Sequence, residues 1–266
     1  AEEYFIKSGV RKKTDVVFAT PGGVIFGVKP IAKTLMEVIN RKDINVRYHH
    51  KLVEVDAEKQ IAWYEVTKDA KAGGCVVIED KDGSSADIDE TINFNSKDVT
   101  ITKENGLFGI HFDMLHLAPP QSAPDFIKNS DLSNDAGWFD VDHGTLQHKK
   151  YANIFGMGDA AALPTAKTGA AIRKQVPIVV ENISRMIEAN PLSTKVYNGY
   201  SSCPLVTGYG KMVLAEFDYD SNFTPDPKLK QMFIKDSSKE HRRLWWLKKY
   251  ILPRLYWNKM LKGVEV

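Results

Sequence analysis

The chain has 266 residues, 43% hydrophobic and 26% charged, which is enough to bury one large core or two modest ones and argues against extensive disorder. No apolar run approaches the ~20 residues that span a bilayer, AEEYFIKSG carries no secretory pattern, and two cysteines, Cys75 and Cys203, are too few for a disulfide framework, which fits a reducing compartment. The net charge of +2 hides an asymmetry, because residues 239–262 hold eight Lys or Arg against one acidic residue and the remainder is net acidic.

In chain order, AEEYFIKSGVRKK reads as the tail of a helix, and TDVVFAT as a buried strand ended by Pro21-Gly22-Gly23. VKPIAKTLMEVINRKD is an amphipathic helix with Ile31, Leu35, Val38 and Ile39 on one face. INVRYHHKLVEVD and IAWYEV follow as strands, and this strand–helix–strand order predicts a parallel sheet of the α/β class. Residues 68–108 are polar, acidic and turn-rich, with short β-prone runs (CVVIE, VTIT), and read as an insertion carrying a hairpin or two. FGIHFDMLHLAPP is an apolar strand stopped by Pro119-Pro120. WFDVD and TLQHKKYANIFGMGD are further strands, and a long helix runs from about Thr168 to Glu188. Beyond Pro191 the chain reads as irregular, apart from a strand-like KMVLAEFDY and a Pro-rich linker, NFTPDPK. SKEHRRLWWLKKYILPRLYWNKMLKG reads as two short amphipathic helices kinked at Pro253. Aromatic and basic residues together suit an interfacial membrane anchor, and equally a helix packed on the core with a charged outer face. No RNA-binding signature accompanies them, so nucleic acid is not an expected partner.

The stretch FGMGDAAALPTAKTGAA, residues 155–171, carries the chemistry. Glycines at a strand end let backbone approach a ligand without a Cβ in the way, and the next helix aims N–H groups at negative charge. An acidic side chain there suits a ribitol or ribose hydroxyl. The pattern alone equally suits a tight strand-to-helix turn with a capping aspartate. No HxxxH, HExxH or CxxC spacing occurs, and His49 and His50 point to opposite faces of one strand, so no metal is expected. His116 and His148 are read as hydrogen-bonded structural histidines ahead of any proton-relay role. Cys203 and Cys75 are read as structural or surface thiols.

NIFGMGDAAALPTAKTGAAIRKQ resembles the second flavin-contacting motif of the two-dinucleotide-binding-domain flavoproteins. HFDMLHLAPPQSAPDFIKNSDLSNDAGWFDVDHGTLQHKKYANIFGMGD, LPTAKTGAA, SSCPLVTGYGKMVLAEFDYD and LPRLYWNKMLKG, in that order, narrow the resemblance to the mitochondrial-type sulfide:quinone oxidoreductase family. It implies a Rossmann-like α/β fold, FAD, a membrane quinone, sulfide and a sulfur acceptor as partners. The implied location is peripheral on a mitochondrial inner or bacterial cytoplasmic membrane. It implies that Gly158 and Asp159 contact the FAD pyrophosphate and ribitol, and that Lys167, Thr168 and the backbone near Ala170 face the flavin's pyrimidine edge. Pro119 is implied near the ring, Pro204 and Phe217 at the quinone, and Trp245, Trp246, Tyr256 and Trp257 at the membrane.

Two departures stand out. The family places a redox cysteine directly after the motif aspartate, and here that position is Ala160; the family's N-terminal GxGxxG turn is also absent from these 266 residues. The chain is therefore expected to be a C-terminal portion lacking the motif cysteine, with tight FAD binding by it alone in doubt. Its expected organisation is a second dinucleotide-binding-like domain at 1–118, the C-terminal part of the FAD domain at 119–190, and a quinone- and membrane-facing region at 191–266. Readings that stay open are a flavin-dependent quinone reductase with another donor, and a non-catalytic membrane-associated module.

Overall fold

The computed structural model describes residues 1–66 and 101–264, which form two compact units divided between Leu117 and Ala118. In the first unit a short helix α1 (Glu2–Lys7) precedes β1 (Val16–Ala19), α2 (Lys29–Lys42) and β2 (Ile44–Arg47). Helix α2 buries Ile31, Thr34, Val38 and Ile39, the i, i+3, i+7, i+8 stripe of an amphipathic helix. It ends at Asp43 in the left-handed region, φ 51°. Its last carbonyls are capped from outside: the Arg11 guanidinium donates to the carbonyls of Lys42 at 2.6 Å and Asp43 at 2.7 Å. Lys42 in turn ion-pairs with Glu2 and Glu3 of α1.

Strands β1 and β2 pair in parallel, Val16 opposite Ile44, as strand–helix–strand order requires. The expected parallel sheet stops there. INVRYHHKLVEVD is two strands, because the chain turns at His49, whose φ is +58°. Its second half, β3 (His50–Asp56), pairs antiparallel with β4 (Ile61–Val66). Strands β5 (Ile101–Glu104) and β6 (Leu107–His111) complete an antiparallel sheet of order β3-β4-β6-β5. The β5–β6 hairpin turns at Asn105-Gly106 with both φ positive, 49° and 79°, the two-residue geometry that suits the right-handed twist of paired strands. Ile61, Ala62, Trp63 and Tyr64 of β4 are all buried, so this central strand is covered on both faces. Gly109 on β6 leaves room for them, since a Cβ there would lie 2.7 Å from Ile61 and 2.8 Å from Trp63. TDVVFAT is less buried than its apolar run predicts, with Phe18 45% exposed. CVVIE lies outside the described residues.

The second unit begins with an extended segment and a short helix α3 (Asp125–Lys128). TLQHKKYANIFGMGD is not one strand. Isolated bridges join Val141 to His148, Gln147 to Phe155 and Phe139 to Ala161 across successive turns. Helix α4 (Gly169–Ile187) then runs as expected from its N-cap Thr168 to Glu188. The region read as irregular contains a hairpin, β7 (Ser201–Gly208) and β8 (Lys211–Phe217). The C-terminus is helix α5 (Arg242–Trp246), a π-helical turn at Leu247–Ile251 and helix α6 (Leu252–Asn258). Pro253 sits in the first turn of α6, and its missing N–H lies just beyond the irregular turn, where the kink was expected.

Two apolar clusters hold this unit together. One gathers Val141, Leu146, Ala161, Leu163, Ile178, Val179 and Tyr197 around α4. The other gathers Met212, Leu214, Leu229, Ile234 and Leu244, joining the hairpin to α5.

Candidate functional site at the N-terminus of α4

The buried face of α4 carries Ala171, Gln175, Ile178, Val179 and Asn182. Two of these are amides in an otherwise apolar stripe, and both are almost fully enclosed, Gln175 at 2% and Asn182 at 0% exposure. A buried amide is tolerated only when hydrogen-bonded, and each of these ties the helix to a loop. Gln175 Oε1 accepts the Gly158 N–H at 2.8 Å. Asn182 Nδ2 donates to the Thr145 carbonyl at 3.0 Å while its Oδ1 accepts the Ser193 N–H at 2.8 Å. Gly158 itself has φ +73°, a conformation that favours glycine, and opens a single 3₁₀ turn, Gly158–Ala160.

The Gly158 turn and the start of α4 form a small cleft lined by Gly158, Leu163, Thr165, Ala166, Lys167, Thr168, Ala171 and Gln175. Thr168 is the helix N-cap, its Oγ1 accepting the Ala171 N–H at 3.2 Å and sharing a 2.9 Å hydrogen bond with Ser201 Oγ. Ser201 Oγ also donates to the Ala166 carbonyl at 3.1 Å, and Thr165 Oγ1 donates to the Gly199 carbonyl at 2.8 Å. Segment 199–201 is thereby stitched to the cleft wall just before β7. Lys167 folds back against its own unit and is only partly buried. Its Nζ donates to the Ala161 carbonyl at 2.8 Å and sits 3.9 Å from the centre of the Trp138 ring. Burial lowers its pKa from the ordinary lysine value, opposed by the nearby Asp159 carboxylate.

Of the residues expected here, Gly158, Lys167 and Thr168 line one cleft. Asp159 is exposed on the same 3₁₀ turn, beside the half-buried Ala160. Among the described residues it caps neither its own turn nor α4, whose cap is Thr168. Ala170 lies in the first turn of α4, but the adjacent Ala171 is the one that lines the cleft. Pro119 is exposed in the segment that opens the second unit. Pro204 and Phe217 lie on the hairpin, opposite Leu214 and Ser201 respectively. Gln175, Leu163, Thr165 and Ala166 were missed; Gln175 had a signal, a polar residue inside the apolar period of a helix.

Beside the cleft, Tyr200 O–H donates to Glu216 Oε1 at 2.6 Å, and Glu216 Oε2 accepts the Asp226 N–H at 3.0 Å. Glu216 is 2% exposed, and burial pushes its pKa above the usual carboxylate range. His148 is structural: its Nδ1 accepts the N–H groups of Lys150 and Tyr151, which leaves the proton on Nε2 for the Leu132 carbonyl at 3.1 Å. Cys203 is half-buried on β7, and burial pushes its thiol pKa up, away from nucleophilic reactivity.

The C-terminal segment divides its apolar residues between two environments. Leu244 is fully buried against the hairpin, with Trp245 and Leu247 packed on the same cluster. Trp246, Tyr250, Ile251, Tyr256, Trp257 and Leu261 are between 42% and 65% exposed. Lys249 lies 4.7 Å from the centre of the Trp245 ring. Among the described residues no helix is long and apolar enough to cross a membrane.

Two solved structures share this architecture, each at a TM-score of 0.64. They are the sulfide:quinone oxidoreductase of Aquifex aeolicus (15% identical; 96% of this chain, 52% of that one) and a chain in the mitochondrial ATP synthase structure from Tetrahymena thermophila (24% identical; 96% and 53%). At those identities they establish the fold class, mixed α/β. No protein-family profile matches the chain. Curated relatives do: the mitochondrial sulfide:quinone oxidoreductases of Mus musculus, 41% identical over 263 residues, and of Dictyostelium discoideum, 35% over 263 residues. The alignments cover 99% and 98% of this chain, but 49% and 48% of the relatives. Over nearly its whole length the chain is similar to these sulfide:quinone oxidoreductases, and it spans about half the length of the curated relatives it matches.

Proposed function

We propose that the chain is the C-terminal portion of a flavin-dependent quinone reductase, with the cleft at Gly158–Thr168 against the flavin ring. Residues 1–118 then correspond to a Rossmann-like second dinucleotide-binding domain, 119–190 to the end of the FAD domain, and 191–266 to the quinone- and membrane-facing region. The observation that carries this reading is the Gly158 turn, tied to Gln175 beside a capped helix N-terminus and a partly buried lysine.

The residues present fit a flavin edge. Leu163, Ala166 and Ala171 offer apolar wall, and Lys167 with the start of α4 offers positive potential for ring carbonyls. The cleft is too small to enclose a ring, so a flavin would lie against its mouth and be held chiefly by other parts of a longer protein. When bound, FAD supplies the two-electron acceptor that this chain's side chains lack. The chain's own part is positional. Lys167, fixed by Trp138 and the Ala161 carbonyl, holds positive charge at the cleft, and Gly158 gives the ring close access to backbone.

Ala160 carries no sulfur, so attack of sulfide on a disulfide at this position, with a thiolate as the leaving group, is unavailable. That favours a second reading within the family, a quinone reductase fed by a donor other than sulfide. Peripheral membrane attachment through Trp246, Tyr256, Trp257 and the surrounding lysines and arginines completes the proposal, with Trp245 anchoring that segment to the hairpin. The test is co-expression with the unmatched half of the mouse relative. The purified complex is expected to be yellow, and sulfide-dependent quinone reduction is expected only after Ala160→Cys. A colourless complex would remove the flavin reading, and sulfide turnover by the Ala160 form would remove the argument from the missing thiol.

A further inference from the structure

Strand β8 buries five residues in succession, Met212, Val213, Leu214, Ala215 and Glu216. The last is a carboxyl group closing an apolar run, and a buried charge persists only when it is hydrogen-bonded. Two donors meet it from separate segments. Tyr200 O–H donates to Oε1 at 2.6 Å from just before β7, and the Asp226 N–H donates to Oε2 at 3.0 Å from the N-cap of the 3₁₀ helix Pro227–Met232. Among the described residues the charged groups that face the pair are Arg173, Lys174 and Asp226. Arg173 Nη2 on α4 lies 3.4 Å from Tyr200 Oη, Lys174 Nζ lies 5.9 Å from the centre of the Tyr200 ring, and the Asp226 carboxylate acts on Glu216 through space.

Tyr200 ties this pair to the cleft. The Gly199 carbonyl before it accepts from Thr165, and the Ser201 hydroxyl after it bonds to the N-cap Thr168 and to the Ala166 carbonyl. The number of protons at the pair decides how it answers a change in charge. With Glu216 ionised, its two oxygens accept both donors, and Tyr200 Oη accepts from Arg173. A proton added at Oε1 reverses the first of these bonds: the acid O–H donates to Tyr200 Oη, and the phenol proton turns away from Glu216. The Asp226 N–H keeps its acceptor, so the rearrangement falls on the Tyr200 side. Burial raises the Glu216 pKa, against the hydrogen bonds from Tyr200 and Asp226 and the charge of Arg173. The acid form therefore fills at a higher pH than in an exposed glutamate. Burial raises the Tyr200 pKa as well, which keeps the phenol protonated.

We propose that Glu216 is a positioning residue for the cleft: as a carboxylate it holds the Tyr200 O–H, and with it the 199–201 wall against Thr168, and as an acid it releases that hold. The inference rests on the reading of the Gly158–Thr168 cleft as the functional site, but it does not require flavin. It says that the setting of one cleft wall answers to a proton taken up on the far side of that wall, at the end of β8.

The test is a pH titration of the full 266-residue chain by NMR, with labelled amides and tyrosine rings and with Tyr200→Phe identifying the Tyr200 signal. The Tyr200 ring and the amides of Ser201 and Ala171 are expected to shift together, with one midpoint above the ordinary glutamate range. Glu216→Gln separates positioning from plain packing. Its NH₂ donates to Tyr200 Oη while its oxygen accepts the Asp226 N–H, which is the arrangement of the acid form. At neutral pH this variant is expected to reproduce the parent's acid-side signals at the three positions and to lose the titration there. Ser201 and Ala171 amides that stay still in the parent, or that titrate in the glutamine variant as in the parent, would overturn the proposal. If Glu216→Gln does not fold, Tyr200→Phe decides: loss of the Ala171 titration supports the proposal, and its persistence overturns it. A colourless complex with the unmatched half of the mouse relative, beside an intact titration, would sustain this inference while removing the flavin reading.

Discussion

Replacing Gln175 by Leu tests whether the Gly158 turn is held from the helix. The side chain is 2% exposed, and its Oε1 is 2.8 Å from the Gly158 nitrogen. Leucine has similar bulk and keeps the apolar contacts of the buried stripe, so the main loss is the hydrogen bond. Leaving that N–H without its acceptor costs about 1–3 kcal/mol, more than the ~1 kcal/mol net worth of an ordinary hydrogen bond, because water reaches the site poorly. For a unit of this size each kcal/mol lowers the unfolding midpoint by roughly 2–4 °C. Calorimetry gives the stability change, and amide exchange at Gly158 gives the local one, expected to accelerate more than exchange at Ile178 or Val179. Gln175→Asn, a side chain one methylene shorter, is expected to behave like the leucine variant. A stability within about 0.5 kcal/mol of the parent, with Gly158 exchange unchanged, would refute the claim that this amide positions the turn.

Thr168→Ala removes the N-cap acceptor of α4 and is expected to lower stability by about 0.5–2 kcal/mol, with Thr168→Ser restoring most of it in denaturant titrations. Gly199→Ala places a Cβ 2.2 Å from the Tyr219 ring at a backbone φ of +84°, and a loss of about 2–5 kcal/mol is expected from strain and overpacking together. Leu244→Ala empties a fully buried site between α5 and the hairpin and is expected to cost about 2–5 kcal/mol in chemical unfolding. Glu216 has a folded-state pKa raised chiefly by burial, so the folded state binds its proton more tightly than the unfolded chain. Stability is therefore expected to fall as pH rises from the ordinary glutamate range towards the raised value, and Glu216→Gln is expected to flatten that slope in midpoint-against-pH measurements.

Where the chain obeys a single period, the sequence predicts the structure well. Helix α4 was legible from Thr168 to Glu188 because the apolar period, the N-cap and the Asn190-Pro191 stop just beyond it agree. Helix α2 was legible for the same reason. Pro253 was legible as a break in the helical hydrogen-bonding, and it falls in the first turn of α6 directly after the π-helical turn. The errors arise where backbone geometry overrides composition. INVRYHHKLVEVD alternates like one strand, but His49 takes a positive φ and splits it between two sheets. SSCPLVTG reads as irregular because Pro204 and Gly208 are poor strand residues; a two-stranded ribbon tolerates both, with a register shift absorbed between Val206 and Gly208. TLQHKKYANIFGMGD has strand composition, but its partners lie in three successive turns and only isolated bridges form. In the site, Gly158, Lys167 and Thr168 were visible as a motif. The direction of Lys167 towards Trp138 depends on residues far apart in sequence that no local pattern connects.

Gln175 and Asn182 lie two turns apart on α4, and between them they hold three backbone partners, at Gly158, Thr145 and Ser193. Sliding the helix by one residue, or rotating it through the 100° that separates neighbouring side chains, would leave all three stranded at once. Such a helix behaves as a keyed shaft. Whatever enters beside Gly158 must be accommodated by the mobile ends of side chains and by the solvent side of the turn, while α4 keeps its rotational setting.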